Sequence, residues 1–146
     1  MKRYSLSDYI LSIEPNDQTI KSLFGTISIG GEGSYTDSIR LSRTNNMWST
    51  DGYATGAWVH NKNMSRVGTA TLSINQMSPS VAKFIKLANA FYGADYDGFT
   101  LSLSDRSGTK VAECVDCYIT TIPEQAFETS AGMQNWEFTC GQINFN

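Results

Sequence analysis

Hydrophobic and polar residues alternate along most of this chain, a pattern typical of β-strands that bury one face. The clearest run lies between residues 67 and 76, where aliphatic and hydroxyl side chains fall on opposite faces of the predicted strand. Residues 99–104 and 111–122 show the same alternation and are joined by a predicted hairpin turn at 105–108. A last strand is predicted around residues 136–143. The pattern therefore predicts a mainly β protein.

The N-terminal part of the chain holds two short apolar segments. Residues 6–13 are expected to be extended and to end at the polar turn 14–17, and residues 20–29 form the second segment. The glycine cluster at 30–33 predicts a turn or a bulge, because glycine adopts backbone conformations that other residues avoid. No helix is predicted in this part.

One amphipathic helix is predicted at residues 78–93. Ser78 is a suitable N-cap, Pro79 fits the first helical position and Gly93 fits the C-terminal stop. Between these signals, apolar residues recur at helical spacing: Val81, Phe84, Ile85, Ala88 and Phe91. The helix should therefore bury one face.

A long hairpin is predicted at residues 39–60. Asp51 and Gly52 form a pair that favours a tight hairpin turn, and residues 61–63 predict a second turn. The segment is more apolar than an ordinary solvated loop because it contains Met47, Trp48 and Trp58.

Together these elements predict a single domain that spans residues 1–146. Its fold class is mainly β (α+β): a small antiparallel β-barrel or sandwich, with one amphipathic helix packed against it and a long protruding hairpin.

The composition adds two constraints on function. Charged residues make up 17% of the 146 residues, against about 25% in an average soluble protein. The chain has 17 Ser and 14 Thr, so hydroxyl groups replace much of the usual surface charge. This surface suits strands that face other protein molecules. The net charge of −3 and the scattered basic residues exclude a large phosphate-binding surface.

The sequence predicts no catalytic, cofactor-binding or metal-binding residues. A single histidine, His60, excludes sites that need two histidines, and no serine lies in a nucleophile-elbow motif. Cys114 and Cys117 are spaced as a C-x-x-C motif, but they lie in a predicted strand, where residues three apart point to opposite faces. With an odd cysteine count and no signal-peptide pattern, we expect free, buried thiols in a reducing compartment.

The order of these segments resembles that of bacteriophage tail tube proteins of the contractile type, whose fold is similar to that of type VI secretion tube proteins. The resemblance rests on the following parts of this sequence: Ile39–Thr50, Asp51–His60, Asn61–Asn63, Gly68–Gln76, Ser78–Ser80, Phe99–Val115 and the final Trp-x-Phe-x-Cys strand.

The resemblance implies a structural protein without catalysis or cofactor. Family members form six-membered rings that stack into a hollow tube, which conducts the genome through its lumen without binding DNA specifically. The implied partners are other copies of the chain and the tail sheath, tape measure and baseplate proteins, with no membrane involved. The implied location is the virion tail, assembled in the host cytoplasm.

We expect the hairpin to contact a neighbouring subunit or ring. The candidate interface residues are Arg40, Arg43, Met47, Trp48, Trp58 and His60. The two arginines would pair with acidic residues across that contact, for which Asp8, Glu14 and Glu128 are candidates. The alternatives are a baseplate or tail-completion ring of the same fold, a type VI secretion-like inner tube and, with less support, a carbohydrate-binding module.

Overall fold

The computed structural model describes residues 2–146, which form nine strands and two α-helices. The strands are β1 (Ile10–Pro15), β2 (Ile27–Gly30), β3 (Thr36–Arg43), β4 (Trp48–Gly52), β5 (Trp58–Lys62), β6 (Gly68–Asn75), β7 (Phe99–Ser104), β8 (Lys110–Thr121) and β9 (Met133–Phe145). The helices are α1 (Gln18–Phe24) and α2 (Pro79–Gly93), and a short 3₁₀ turn spans Leu6–Asp8.

Seven strands form one antiparallel sheet in the order β2-β1-β7-β8-β9-β6-β3. The sheet curls into a half-barrel and stops there, so that β2 and β3 are its two edges. The strands β4 and β5 pair only with each other and form a separate hairpin. The predicted mainly β, antiparallel fold class is confirmed.

Helix α2 packs on one face of the sheet and closes the hydrophobic core. The Ser78 side chain accepts a hydrogen bond from the backbone N–H of Ser80, and Pro79 begins the helix, as predicted. Phe84 lies in the centre of the core. The centre of its ring is 5.2 Å from the ring centre of Trp136 and 5.9 Å from that of Phe138. The predicted apolar face of the helix is therefore confirmed, although Leu87, which was not predicted, is also fully buried.

The opposite face of the sheet is rich in hydroxyl groups. Because side chains alternate along a strand, burial of one set of residues turns its neighbours to the other face. These neighbours include Ser12, Ser28, Thr69, Thr71, Ser73, Thr100, Ser102 and Thr139. The surplus of serine and threonine is thus concentrated on one surface of the molecule.

The expectation of a single helix is wrong, because residues 18–24 form the additional helix α1. The Asp17 side chain caps it by accepting a hydrogen bond from the backbone N–H of Thr19, and Gly25 ends it with a positive φ of 62°. Only Ile20 of this helix is buried. A seven-residue helix with one buried position shows no readable periodicity, which is why the apolar pattern did not reveal it.

The boundaries of the hairpin also differ from the prediction of residues 39–60. Residues 36–43 belong to the main sheet as its edge strand β3, and the hairpin comprises only β4 and β5. Its turn lies at residues 53–56 instead of at Asp51 and Gly52, since Gly56 takes the positive φ of 92° that this turn requires. The predicted turn at 61–63 begins later, because Asn61 and Lys62 still pair within the hairpin.

The prediction that Cys114 and Cys117 point to opposite faces is wrong as well. Asp116 has a positive φ of 56° and lies in a bulge of β8 against β7, which reverses the alternation in β8. Both thiols consequently turn into the core, where Cys117 lies opposite Cys140 in the neighbouring strand. All three cysteines are free and buried, as expected.

Contacts with the Cys114 and Cys140 thiols, together with burial, raise the pKa of Cys117 far above its usual range.

Burial and the raised pKa predict that the Cys117 thiol is unreactive in the folded protein. A raised pKa lowers the thiolate fraction, and the thiolate is the nucleophile. At pH 8 we expect Ellman's reagent to modify Cys117 in the native chain at least about tenfold more slowly than in urea, where all three cysteines should react. Peptide mass spectrometry after timed quenching identifies the modified thiol. Equal rates for Cys117 in the two states would contradict the buried cluster.

Gly68 is predicted to tolerate no side chain. A Cβ atom there would lie 2.5 Å from Ile143 Cδ1 and closer still to the carbonyl oxygen of Ser42. Gly68→Ala should therefore lower the free energy of unfolding by about 1–3 kcal/mol. Gly52→Ala is the matched control, because its Cβ would meet nothing within 4 Å, and it should change stability by less than about 0.5 kcal/mol. Urea unfolding of both variants tests this, and equal stabilities would refute the close approach.

Candidate assembly interface

The protruding hairpin β4-β5 is exposed along its whole length. All ten strand residues are exposed, and they pair in a regular register from Trp48 opposite Lys62 to Gly52 opposite Trp58. The exposed fractions are 54% for Trp48 and 66% for Trp58, and Met47 is also exposed. Large apolar side chains on both strands, with no core beneath them, are typical of a surface that is covered by another molecule.

Polar pairs across the hairpin hold it in shape. Thr50 Oγ1 lies 2.8 Å from His60 Nδ1, and Asn61 Nδ2 donates to Asp51 Oδ2 at 2.8 Å. The Lys62 ammonium lies 5.5 Å from the centre of the Trp48 ring. These contacts order the hairpin within the single chain, and an ordered surface loses less entropy on binding than a flexible one. His60, predicted to lie at an interface, has this internal role.

The two arginines predicted to cross the interface have different environments. Arg40 is exposed on the edge strand β3, and it forms no ion pair with the residues that the structure describes. The guanidinium of Arg43 instead donates from Nε and Nη2 to the carbonyl oxygen of Ile143, and it stacks 5.3 Å from the Phe145 ring. Arg43 therefore ties the end of β9 to β3 while remaining partly exposed.

The three acidic residues predicted to pair with these arginines differ in whether they already form an ion pair within the chain. Within the chain, Asp8 pairs with Arg106 at 3.7 Å and Glu14 with Lys21 at 3.1 Å. Glu128 is exposed and has no ion pair within residues 2–146. Of the three, Glu128 is thus the carboxylate most available to another subunit.

Further exposed apolar residues escaped the sequence analysis. They lie near the hairpin, at Tyr53, Val59, Met64 and Val67, and in the loop before β9, where Phe127 is 88% exposed. A phenylalanine between polar residues of a predicted loop is the only signal in the sequence that singles out Phe127.

The described part of the chain offers no arrangement typical of an active site. Residues 2–146 contain no group of three His, Cys, Asp or Glu side chains that could hold a metal ion. No helix within this range is long and apolar enough to cross a membrane. What the exposed surfaces can provide is contact area for other protein molecules.

Comparison with known protein families gives one match over the full length. Residues 1–146 match the family model described as "Bacteriophage PhiTE tail tube protein". No curated protein matches the sequence.

Solved structures show the same fold at low sequence identity. The sheath/tube terminator of an extracellular contractile injection system, PVC, is 12% identical with a TM-score of 0.62, covering 100% of this chain and 98% of its own. The sheath-tube complex of PVC contains a chain that is 13% identical with a TM-score of 0.58, covering 99% and 92%. The tube-terminating cap of the anti-feeding prophage is 15% identical with a TM-score of 0.51, and the match covers 100% of this chain and 93% of the cap chain.

Proposed function

The chain belongs to the bacteriophage PhiTE tail tube protein family, and from this we propose that it is the structural subunit of a phage tail tube, assembled as stacked hexameric rings. The family and the structural neighbours are tail and tube components, in agreement with the resemblance seen in the sequence. The lumen of the stacked rings would be the conduit for genome ejection.

The observation that carries this proposal is the open half-barrel. Both β2 and β3 leave backbone N–H and C=O groups unpaired along an edge of the sheet, and proteins seldom leave such edges exposed. Pairing β2 of one subunit with β3 of the next would continue the antiparallel sheet around a ring. A closed ring of subunits removes every edge at once.

The hydroxyl-rich face of the sheet would then line the lumen. Helix α2 covers the other face, so only this one is available to border a channel. It carries the carboxylates of Glu14, Glu113 and Glu137 and the cation Arg40. Lys21 pairs with Glu14 at 3.1 Å and Lys110 pairs with Glu113 at 3.7 Å, so positive and negative charges nearly balance there. A neutral to acidic lining allows DNA to pass, because salt bridges with phosphates would otherwise retain it.

The hairpin would reach the adjacent subunit or the next ring. Trp48 and Trp58 are suited to be the anchors, because tryptophan dominates the binding energy of many interfaces when it is fully desolvated. The remaining partners of the proposal are the tail sheath, tape measure and baseplate proteins, and the proposed location is the virion tail after assembly in the host cytoplasm.

Sedimentation and negative-stain microscopy of the purified chain test the proposal. A hexameric ring has a mass of about 97 kDa from six chains of 16.1 kDa. We expect hollow tubes of stacked rings. Single rings would favour the baseplate or tail-completion alternative, and a monomer at all concentrations would contradict both roles.

Truncating the tryptophans should prevent assembly without unfolding the chain. We expect the double variant Trp48→Ala/Trp58→Ala to lose at least about 2 kcal/mol of association free energy per contact, and hence most of its tubes. Its thermal unfolding should match that of the unassembled wild type, since the hairpin lies outside the core. Tyr92→Ala, at an exposed position on α2, is the matched control and should assemble normally. Normal tube yield from the double variant would refute the role of the hairpin.

A further inference from the structure

A cationic groove lies at the base of the hairpin. It has a volume of about 180 Å³ and is formed by the end of β3, the end of β5 and the loop before β6. Three cations and two methionines line it: Arg43, Lys62, Arg66, Met47 and Met64. No carboxylate lines the groove, and none of its cations forms an ion pair with the residues that the structure describes.

The loop at residues 122–132, between β8 and β9, has the complementary character. Glu124 and Glu128 are exposed on either side of the exposed Phe127, and neither carboxylate forms an ion pair among residues 2–146. The chain contains no lysine or arginine after Lys110. This loop is therefore an acidic segment with one apolar side chain at its centre.

Hydrogen bonds fix both ends of this acidic loop. Gln134 Nε2 donates to Gln125 Oε1 at 3.1 Å, and the Gln125 side chain donates to the carbonyl oxygen of Pro123. At the other end, Gly132 N–H donates to Gln76 Oε1, and Gln76 N–H donates to the carbonyl oxygen of Gly132. The loop thus presents Phe127 from an ordered base, which lowers the entropic cost of docking.

The groove and the acidic loop lie at opposite ends of the β6-β9 pair. Gly68, which follows the groove, is opposite Cys140, whereas Met133, which follows the loop, is opposite Asn75. Seven residue steps at about 3.3 Å each separate the two ends by about 23 Å. Gln125 and Gly132 are bonded to Gln134 and Gln76 at the far end of the pair, so this part of the loop is held away from the groove of its own chain.

We propose that the acidic loop of one copy docks in the cationic groove of the next copy, with Phe127 between Met47 and Met64 and with Glu124 and Glu128 near the cations of the groove. This contact deepens the proposed function and rests on it, because it joins different surfaces of identical chains. Such a heterologous contact repeats from copy to copy and produces a closed ring or a filament. Sulfur–aromatic contacts and partly desolvated ion pairs favour it.

Charge reversal followed by mixing tests this contact. The groove variant Lys62→Glu/Arg66→Glu and the loop variant Glu124→Lys/Glu128→Lys should each reduce the sedimentable fraction about tenfold, because like charges then meet. In an equimolar mixture, contacts between the two unlike variants regain opposite charges, so we expect at least about half of the wild-type assembly to return with the variants alternating. A variant that is merely misfolded could not be rescued in this way.

A control variant and the contrary outcomes make the test decisive. Lys83→Glu/Lys86→Glu reverses two exposed charges on α2, outside both surfaces, and should assemble like the wild type. Normal assembly of either reversed variant, or a mixture that recovers nothing, overturns the contact while leaving the tube function intact. Failure of the wild type itself to assemble overturns the proposed function and the contact together. Binding of a double-stranded DNA fragment that the groove variant abolishes would assign the groove to nucleic acid and also overturn the contact.

Discussion

An antiparallel sheet with two unpaired edges is the constraint on which the rest of this structure depends. The backbone groups of an edge strand need hydrogen-bond partners, and a short curled sheet cannot supply them by closing on itself. The chain buries one face of the sheet under α2 and leaves β2 and β3 open. In the proposed assembly, each copy completes the sheet of its neighbour.

The same constraint accounts for the unusual composition. A subunit enclosed by identical neighbours would bury most of its outer surface, where lysine and glutamate are costly to desolvate. Serine and threonine carry polarity on the strands without that cost, and they are concentrated on the sheet face opposite α2. In the proposed assembly a neighbour covers the exposed tryptophans of the hairpin, so their surface need not be polar.

The sequence predicted those features that depend on periodicity and on local caps. Long alternating runs located β6 to β9, and Ser78 with Pro79 located α2, because these signals act within a few residues. The features that the sequence did not predict are those that depend on tertiary contacts. Helix α1 has one buried residue, and the bulge at Asp116 becomes visible only once β8 is paired with β7. The sequence likewise revealed the apolar hairpin, whereas the exposure of Phe127 in the loop before β9 became clear only from the structure.

In the proposed tube, identical half-barrels complete one another around a channel lined by the hydroxyl-rich face. Cryo-electron microscopy of particles assembled from the purified chain tests this arrangement most directly. We expect a hollow particle in which β2 of one subunit pairs with β3 of the next, with Thr71 and Ser102 facing the channel and α2 facing outwards. A particle with α2 towards the channel, or with unpaired β2 and β3 edges, would contradict it.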